Sequence, residues 1–133
     1  MLQFNEPVPE EYLAEYRLLS AELDRQIPPK ALDTNLLVAS WNLRGFGAYT
    51  DDWVAGANES PKRDKQSLLC IAEILSRFDI IAIQEVKGRL DSLRHVLRLL
   101  GPHWGFSMTD VTRGDPGNDE RMAFVFDSRK LQL

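Results

Sequence analysis

Asp79-Ile80-Ile81-Ala82-Ile83-Gln84-Glu85-Val86 is the stretch on which the fold turns. Three isoleucines in four positions suit a pleated strand and crowd a helix, because branching at Cβ restricts the side chain against the preceding helical turn. The run predicts a buried strand from Asp79 to Gln84 that ends at a carboxylate. Upstream, Leu36-Leu37-Val38-Ala39-Ser40-Trp41 is a second apolar run of strand length, consistent with burial on both faces, and Gly45 and Gly47 break the chain soon after it. A loop is expected from about Phe46 to Glu59. Beyond it Leu68, Ile71, Ala72 and Leu75 share one helical face, with Ser60 read as the cap and Pro61 as the first helical residue. A helix crossing between two such strands implies a parallel pair.

On the other side, Arg89 to Leu100 carries Leu90, Leu93, Val96, Leu97 and Leu100 at helical spacing, and Gly101-Pro102 stops it. Trp104 to Thr109 and Arg121 to Asp127 are strand candidates, separated by the turn-rich stretch from Thr112 to Asn118. Near the start, Tyr12, Tyr16, Leu19 and Leu23 fall on one side of a helix from Pro9 to Gln26, with Glu10 and Glu11 in its first turn. Ile27-Pro28-Pro29 ends that helix. Residues 1–34 therefore read as a helical extension with a proline-rich connector. Residues 35–133 read as a unit of order β, α, β, α, β, β.

The chain has 133 residues, 44% of them hydrophobic and 27% charged, which suits one globular core and not two. Its formal charge of −4 resides in residues 1–34, where 7 acidic side chains face 3 basic ones; the remainder is balanced. That balance argues against a broad basic platform for nucleic acid and leaves room for a local basic rim. Cys70 lies in an apolar periodic run and reads as a small buried hydrophobe, with no neighbouring signal for a reactive thiol. The first residues have no basic and apolar pattern of a secretory signal, and no stretch approaches the ~20 apolar residues of a membrane span, so a cytoplasmic setting without a membrane partner is the expectation.

Two polar residues close the two apolar strands, Asn42 after Ser40-Trp41 and Glu85 after Ile83-Gln84. Both would lie at the carboxyl ends of parallel neighbours, the edge where open sheets place ligands. With a side-chain period of two, Ile81, Ile83 and Glu85 share a face, as do Val38, Ser40 and Asn42, and the amide and carboxylate are expected to converge. Such a pair suits Mg²⁺, a hard ion that keeps several waters. The plain alternative is an exposed loop-opening glutamate and a turn-forming asparagine.

The stretches Ser40-Trp41-Asn42-Leu43-Arg44-Gly45-Phe46-Gly47 and Asp79 to Val86 resemble the first two motifs of the endonuclease/exonuclease/phosphatase family. A third, Asp119-Glu120-Arg121-Met122-Ala123-Phe124-Val125-Phe126, is similar to the Glu-Arg-aromatic strand of its deoxyribonuclease I branch. The resemblance implies an α/β (α+β) fold, half of a four-layer α/β/β/α sandwich, with a mixed sheet, helices on one face and the appended N-terminal helix outside it. It implies Mg²⁺, with Mn²⁺ as the alternative, and nucleic acid or another phosphodiester as substrate. On this pattern Glu85 binds the metal, Asn42 holds metal or scissile phosphate, and Glu120 orients a catalytic histidine. Arg44 and Lys87 would touch phosphate, a solvated rim being the alternative. Asn118 stands where a deoxyribonuclease I-like enzyme can place an aromatic residue.

The family's later histidine, Asp-x-Asn and Asp-His elements are expected after the strand from Arg121 to Asp127. His95 and His103 match no catalytic position, and Arg94 and Arg98, four apart, read as an exposed helix face with nucleic-acid contact as the alternative. The expectation is a truncated phosphodiesterase of nuclease type, inactive alone, its sandwich completed by a second chain or by self-association. A non-catalytic interaction module and a lipid or inositol phosphate phosphatase fragment are the rivals. A doubly wound nucleotide-binding domain ranks last, since no glycine-rich phosphate loop joins strand to helix.

Overall fold

The computed structural model describes residues 1–109 and 120–132. Along the chain the elements are α1 (Glu10–Gln26), β1 (Val38–Phe46), α2 (Lys65–Leu75), β2 (Ile80–Lys87), α3 (Asp91–Leu100), β3 (Trp104–Met108) and β4 (Glu120–Asp127). The strands form one mixed sheet in the order β1-β2-β4-β3. β1 and β2 are parallel, as a helical crossover requires, whereas β4 runs antiparallel to both β2 and β3. The turn-rich stretch from 112 to 118, Asn118 included, lies outside the described residues.

One face of the sheet carries the core. Ile81, Ile83 and Val86 of β2, Ala123 and Val125 of β4, and Leu43 and Phe46 of β1 meet Leu68, Leu69, Ala72 and Leu75 of α2 and Leu93 and Val96 of α3. Nearly all are completely buried. The other face is open among the described residues. Val38 is 63% exposed, Ser40 and Asn42 are exposed, and Ile80, Ala82, Phe124 and Phe126 are half-buried. The expectation that the first two strands are covered on both sides is thus corrected to one. α1 lies outside α2, with its stripe of Tyr12, Tyr16, Leu19 and Leu23 half-buried, and the Tyr16 hydroxyl donates to Glu73 Oε2 at 2.6 Å.

Several boundaries differ from the sequence reading, among them the end of β2, which runs past Gln84 and through Glu85 to Lys87, and two bear on the stretch between β1 and α2. Ser60 and Pro61 do not start α2; they precede it in a loop. The cap is Asp64, whose Oδ1 accepts from the Ser67 amide at 2.9 Å and the Ser67 hydroxyl at 2.8 Å. An Asp-x-x-Ser cap wins because Thr50 pairs with the chain at Arg63 and Asp64, which holds these residues extended until Lys65. The second difference is that β1 continues to Phe46, through residues expected to turn. Cys70 is half-buried, and burial, then Glu15, Asp64 and Glu73, raises its thiol pKa.

At the start of β2 and the end of β4 lies a buried charge cluster. Asp79 Oδ2 accepts from the Leu37 amide at 2.6 Å and from Lys130 Nζ at 2.8 Å. Lys30 Nζ reaches Asp127 Oδ2 at 2.9 Å and Asp79 Oδ1 at 3.6 Å. Lys130 Nζ also donates to the carbonyls of Ala31 and Asn35, which ties the connector to the sheet. Burial alone pushes both carboxyls up. For Asp127 the bonds from Arg129 and Lys30 outweigh it, and for Asp79 the Leu37 amide and Lys130 do, so both titrate below the usual aspartate range.

An unfolded aspartate titrates near ~3.9, so this stabilisation is complete above about pH 4 and is lost as pH falls through the lower folded values. Asp79→Asn, which leaves Lys130 buried without its counter-charge, is expected to cost about 3–5 kcal/mol at neutral pH and to flatten the acid limb of stability. Urea unfolding at neutral and acid pH measures both.

Candidate functional site

In a parallel pair, residues in register share a face, and here Ser40 pairs with Ala82, Trp41 with Ile83 and Asn42 with Gln84. The bond from Gln84 Nε2 to Ser40 Oγ at 2.7 Å shows that Ser40 and Gln84 point to the open side. Ile81 and Ile83 point to the helices. Strict alternation would therefore send Glu85 into the core side and Asn42 to the open side, the reverse of convergence. Period-two alternation groups the residues correctly on each strand and does not relate the two groups across the pair.

A break in the ladder changes this outcome. Between Ile83 and Val86 the register against β4 slips, and Glu85 has φ 61°. The extra residue restores the apolar side of the strand at Val86, which is completely buried, in place of Glu85. Counted back from Val86, Glu85 falls on the open side together with Lys87, and its side is then that of Asn42. β1 is irregular at the same level, with the register slipping between Asn42 and Phe46 and with Arg44 and Gly45 at φ 44° and 65°. Asn42 Oδ1 accepts from the Arg44 amide at 2.9 Å and so shapes this turn. The amide nitrogen of Asn42 is left as the group to face a ligand.

Left-handed backbone at a residue with a side chain costs on the order of 1–3 kcal/mol and persists only where neighbours hold it. Arg63 does so for β1. Its guanidinium donates to the carbonyl of Leu43 at 2.6 Å and of Gly45 at 3.3 Å, and it lies 5.3 Å from the centre of the Phe46 ring. Burial lowers its pKa. Nothing in the local sequence Pro61-Lys62-Arg63-Asp64 marks this role, and Arg63 is absent from the residues that sequence reasoning singles out. Gly47 closes the approach between strand ends: a Cβ there would meet Lys87 Cβ at 2.8 Å.

Arg44 is exposed. Lys87 donates to Glu120 Oε1 at 2.7 Å, across the register pair Lys87 and Glu120. The contact seen for Glu120 is therefore with a cation from β2. His95 is half-buried, with its ring 5.2 Å from that of Tyr49. Burial, then Arg98, lowers its pKa, so it is neutral at neutral pH. His103 precedes β3, whose Trp104 pairs with Asp127, so it lies at the end of β4 away from Glu120.

Among the described residues no three His, Cys, Asp or Glu side chains come together as a metal cage. The oxygen donor this edge offers an ion is the Glu85 carboxylate, with Asn42 Oδ1 engaged by the Arg44 amide and Glu120 by Lys87. That donor suits a divalent ion that retains most of its waters and takes one protein carboxylate, and it does not suit a fully coordinated structural ion.

Arg63→Met should remove the clamp on the β1 turn, destabilise the chain by about 1–3 kcal/mol and speed amide hydrogen exchange at residues 43–46 more than in the helices. Exchange followed by mass spectrometry reads the difference.

Residues 39–133 match the family model described as Endonuclease/Exonuclease/phosphatase family. The match takes in the bulged ends of β1 and β2, with Asn42 and Glu85, and all of β4. Comparison with curated proteins and with solved structures returned no match.

Proposed function

The chain belongs to the endonuclease/exonuclease/phosphatase family, and we propose that it carries the metal-binding and phosphate-facing edge of a metal-dependent phosphodiesterase that acts on nucleic acid. The observation that supports this most is the extra residue of β2 at Glu85, which puts the carboxylate on the side of Asn42, beside a second irregularity of β1 at Arg44-Gly45. Backbone irregularity of this kind clusters beside ligand sites, and here it occurs at two adjacent strand ends, each next to the residue with the chemistry.

In this reading Glu85 holds Mg²⁺, or Mn²⁺, through its carboxylate. The ion, when bound, offsets charge on the phosphate oxygens. Asn42, its Oδ1 committed to the Arg44 amide, donates from Nδ2 to a phosphate oxygen. Arg44, exposed beside it, adds positive charge on the same edge. Glu120 holds Lys87 against the sheet, so that the ammonium stays near the edge. The step left open is deprotonation of the attacking water. His103 lies at the far end of β4 and the His95 ring is packed with Tyr49 and Arg98, so neither histidine is assigned as base, and lack of a general base typically forfeits ~10²–10⁴ in rate. The chain alone is expected to cleave at background rates.

Calorimetric titration with Mg²⁺ and Mn²⁺ should show one weak site, weakened at least about tenfold in Glu85→Gln, since that change removes the single carboxylate. Absence of binding by the unmodified chain, or full binding by the variant, would sink the metal assignment. Cleavage of a DNA duplex at rates typical of a complete enzyme, lost on Glu85→Ala, would show instead that the chain holds its own base.

The open sheet face favours a second reading, a non-catalytic module that associates through it. Val38, Ile80, Ala82, Phe124 and Phe126 make that face largely apolar. No helix among the described residues is long and apolar enough to cross a membrane. Light scattering distinguishes the two readings: a monomer that binds Mg²⁺ supports the first, an assembly indifferent to it the second.

A further inference from the structure

Beside the proposed edge lies a second cluster that the catalytic reading does not use. Tyr49, Asp51, Arg89, Asp91, Arg94 and Arg98 line a cavity of about 390 Å³. Tyr49 and Arg89 place it beside the segments that leave β1 and β2. The Gly47 carbonyl accepts from the Ser92 amide at 2.9 Å, which docks the start of α3 on the segment leaving β1. Gly47 also lies against Lys87 and the Arg89 carbonyl. The cavity is thus reached within a few residues of both Arg44 and Lys87.

Its charges do not cancel. Arg89 pairs with Asp91, and Asp51 faces Lys65 Nζ at 3.5 Å. Among the described residues Arg94 and Arg98 have no carboxylate within ion-pair distance, and both are exposed one helical turn apart. Arg98 is nonetheless oriented: its Nη2 is 3.4 Å from His95 Nδ1, and the Tyr49 hydroxyl is 3.2 Å from the same nitrogen. A guanidinium can only donate, so His95 presents Nδ1 as an acceptor and carries its proton on Nε2. Three guanidinium groups and a phenol line the cavity with Asp51 and Asp91; with Arg89 paired to Asp91 and Asp51 facing Lys65, the two remaining guanidinium groups, one held by His95 behind it, are chemistry suited to a phosphate.

We propose that this cavity binds a second phosphate of the nucleic-acid strand whose scissile phosphate is held at Asn42 and Glu85. The inference rests on the phosphodiesterase reading for the first phosphate. A ligand that spans both places must carry phosphates in series, and a nucleic-acid strand does so. Its role is positioning of substrate, not chemistry.

The test is binding of a short labelled DNA duplex to the 133-residue chain by fluorescence anisotropy, without divalent metal, between about 50 and 200 mM salt. The double variant Arg94→Ala/Arg98→Ala should bind roughly tenfold more weakly at low salt and lower the salt slope by about 1 to 2. The charge-retaining Arg94→Lys/Arg98→Lys should keep most of the slope. Unchanged affinity and slope in the alanine variant would overturn the subsite, and if Arg44→Ala still weakened binding, the first-phosphate reading would survive that result. No DNA binding by the unmodified chain would overturn it as well. So would binding of inositol hexakisphosphate alone, lost in the alanine variant, because the occupant would then not be a nucleic-acid strand.

Discussion

The parallel pairing of β1 and β2 imposes a constraint that, left unbroken, would keep the proposed site from forming. Residues in register point the same way and successive residues alternate, so Asn42 and Glu85, offset by one position across the pair, begin on opposite faces. A single extra residue in β2 removes the conflict, because it returns Val86 to the core and releases Glu85 from it. The hydrophobic effect supplies the force: burying a valine instead of a carboxylate at that position favours the bulge by the transfer of the side chain and by the charge that need not be desolvated. The strain at Glu85 is set against that gain.

The far end of the sheet explains why the register cannot relax to undo the strain. Asp79 and Asp127 lie at the start of β2 and the end of β4, within one hydrogen-bonded cluster with Lys30 and Lys130. A slip of one residue between β2 and β4 would pull a buried carboxylate away from its ammonium, and a buried charge without its partner is more costly than a left-handed residue. Irregularity is confined to the end where the strands leave the cluster behind. There Arg63 and Gly47 hold the distorted segments in place by carbonyl bonds and close backbone approach.

Much of this is legible in the sequence because it depends on local signals. The isoleucine run of β2, the Gly101-Pro102 stop after α3 and the parallel pairing implied by a crossover helix come from sterics that act within a few residues. Local signals misplace the cap of α2 because Ser60-Pro61 is also a good start, and only the long-range pairing of Thr50 with Asp64 decides between the two. Coverage of the strands on one side cannot be read from apolar runs alone, since Val38 and Ile80 are as apolar as their buried neighbours. Asn42 and Glu85 are visible by type and position. The bulge that brings them to one side is not, as it depends on β4, and Arg63 acts through carbonyls about twenty residues away, which leave no trace in residue identity.

A polyanionic substrate, as proposed, is compatible with a formal charge of −4 because that charge is unevenly distributed. The acidic surplus belongs to residues 1–34, and α1, which holds most of it, lies outside α2, where Arg77 pairs with Asp24 and Glu73. The strand ends carry Arg44 and Lys87, Arg89 precedes α3, and Arg94 and Arg98 lie along α3, Arg98 in its last turn. With a Debye length of about 8 Å at physiological salt, charges on a separate helical layer are largely screened from such an edge, while those within it act together. Net charge therefore speaks to long-range encounter, and the local arginines to what is held. A basic rim on an acidic chain favours a ligand that brings several phosphates to one edge over one that surrounds the molecule.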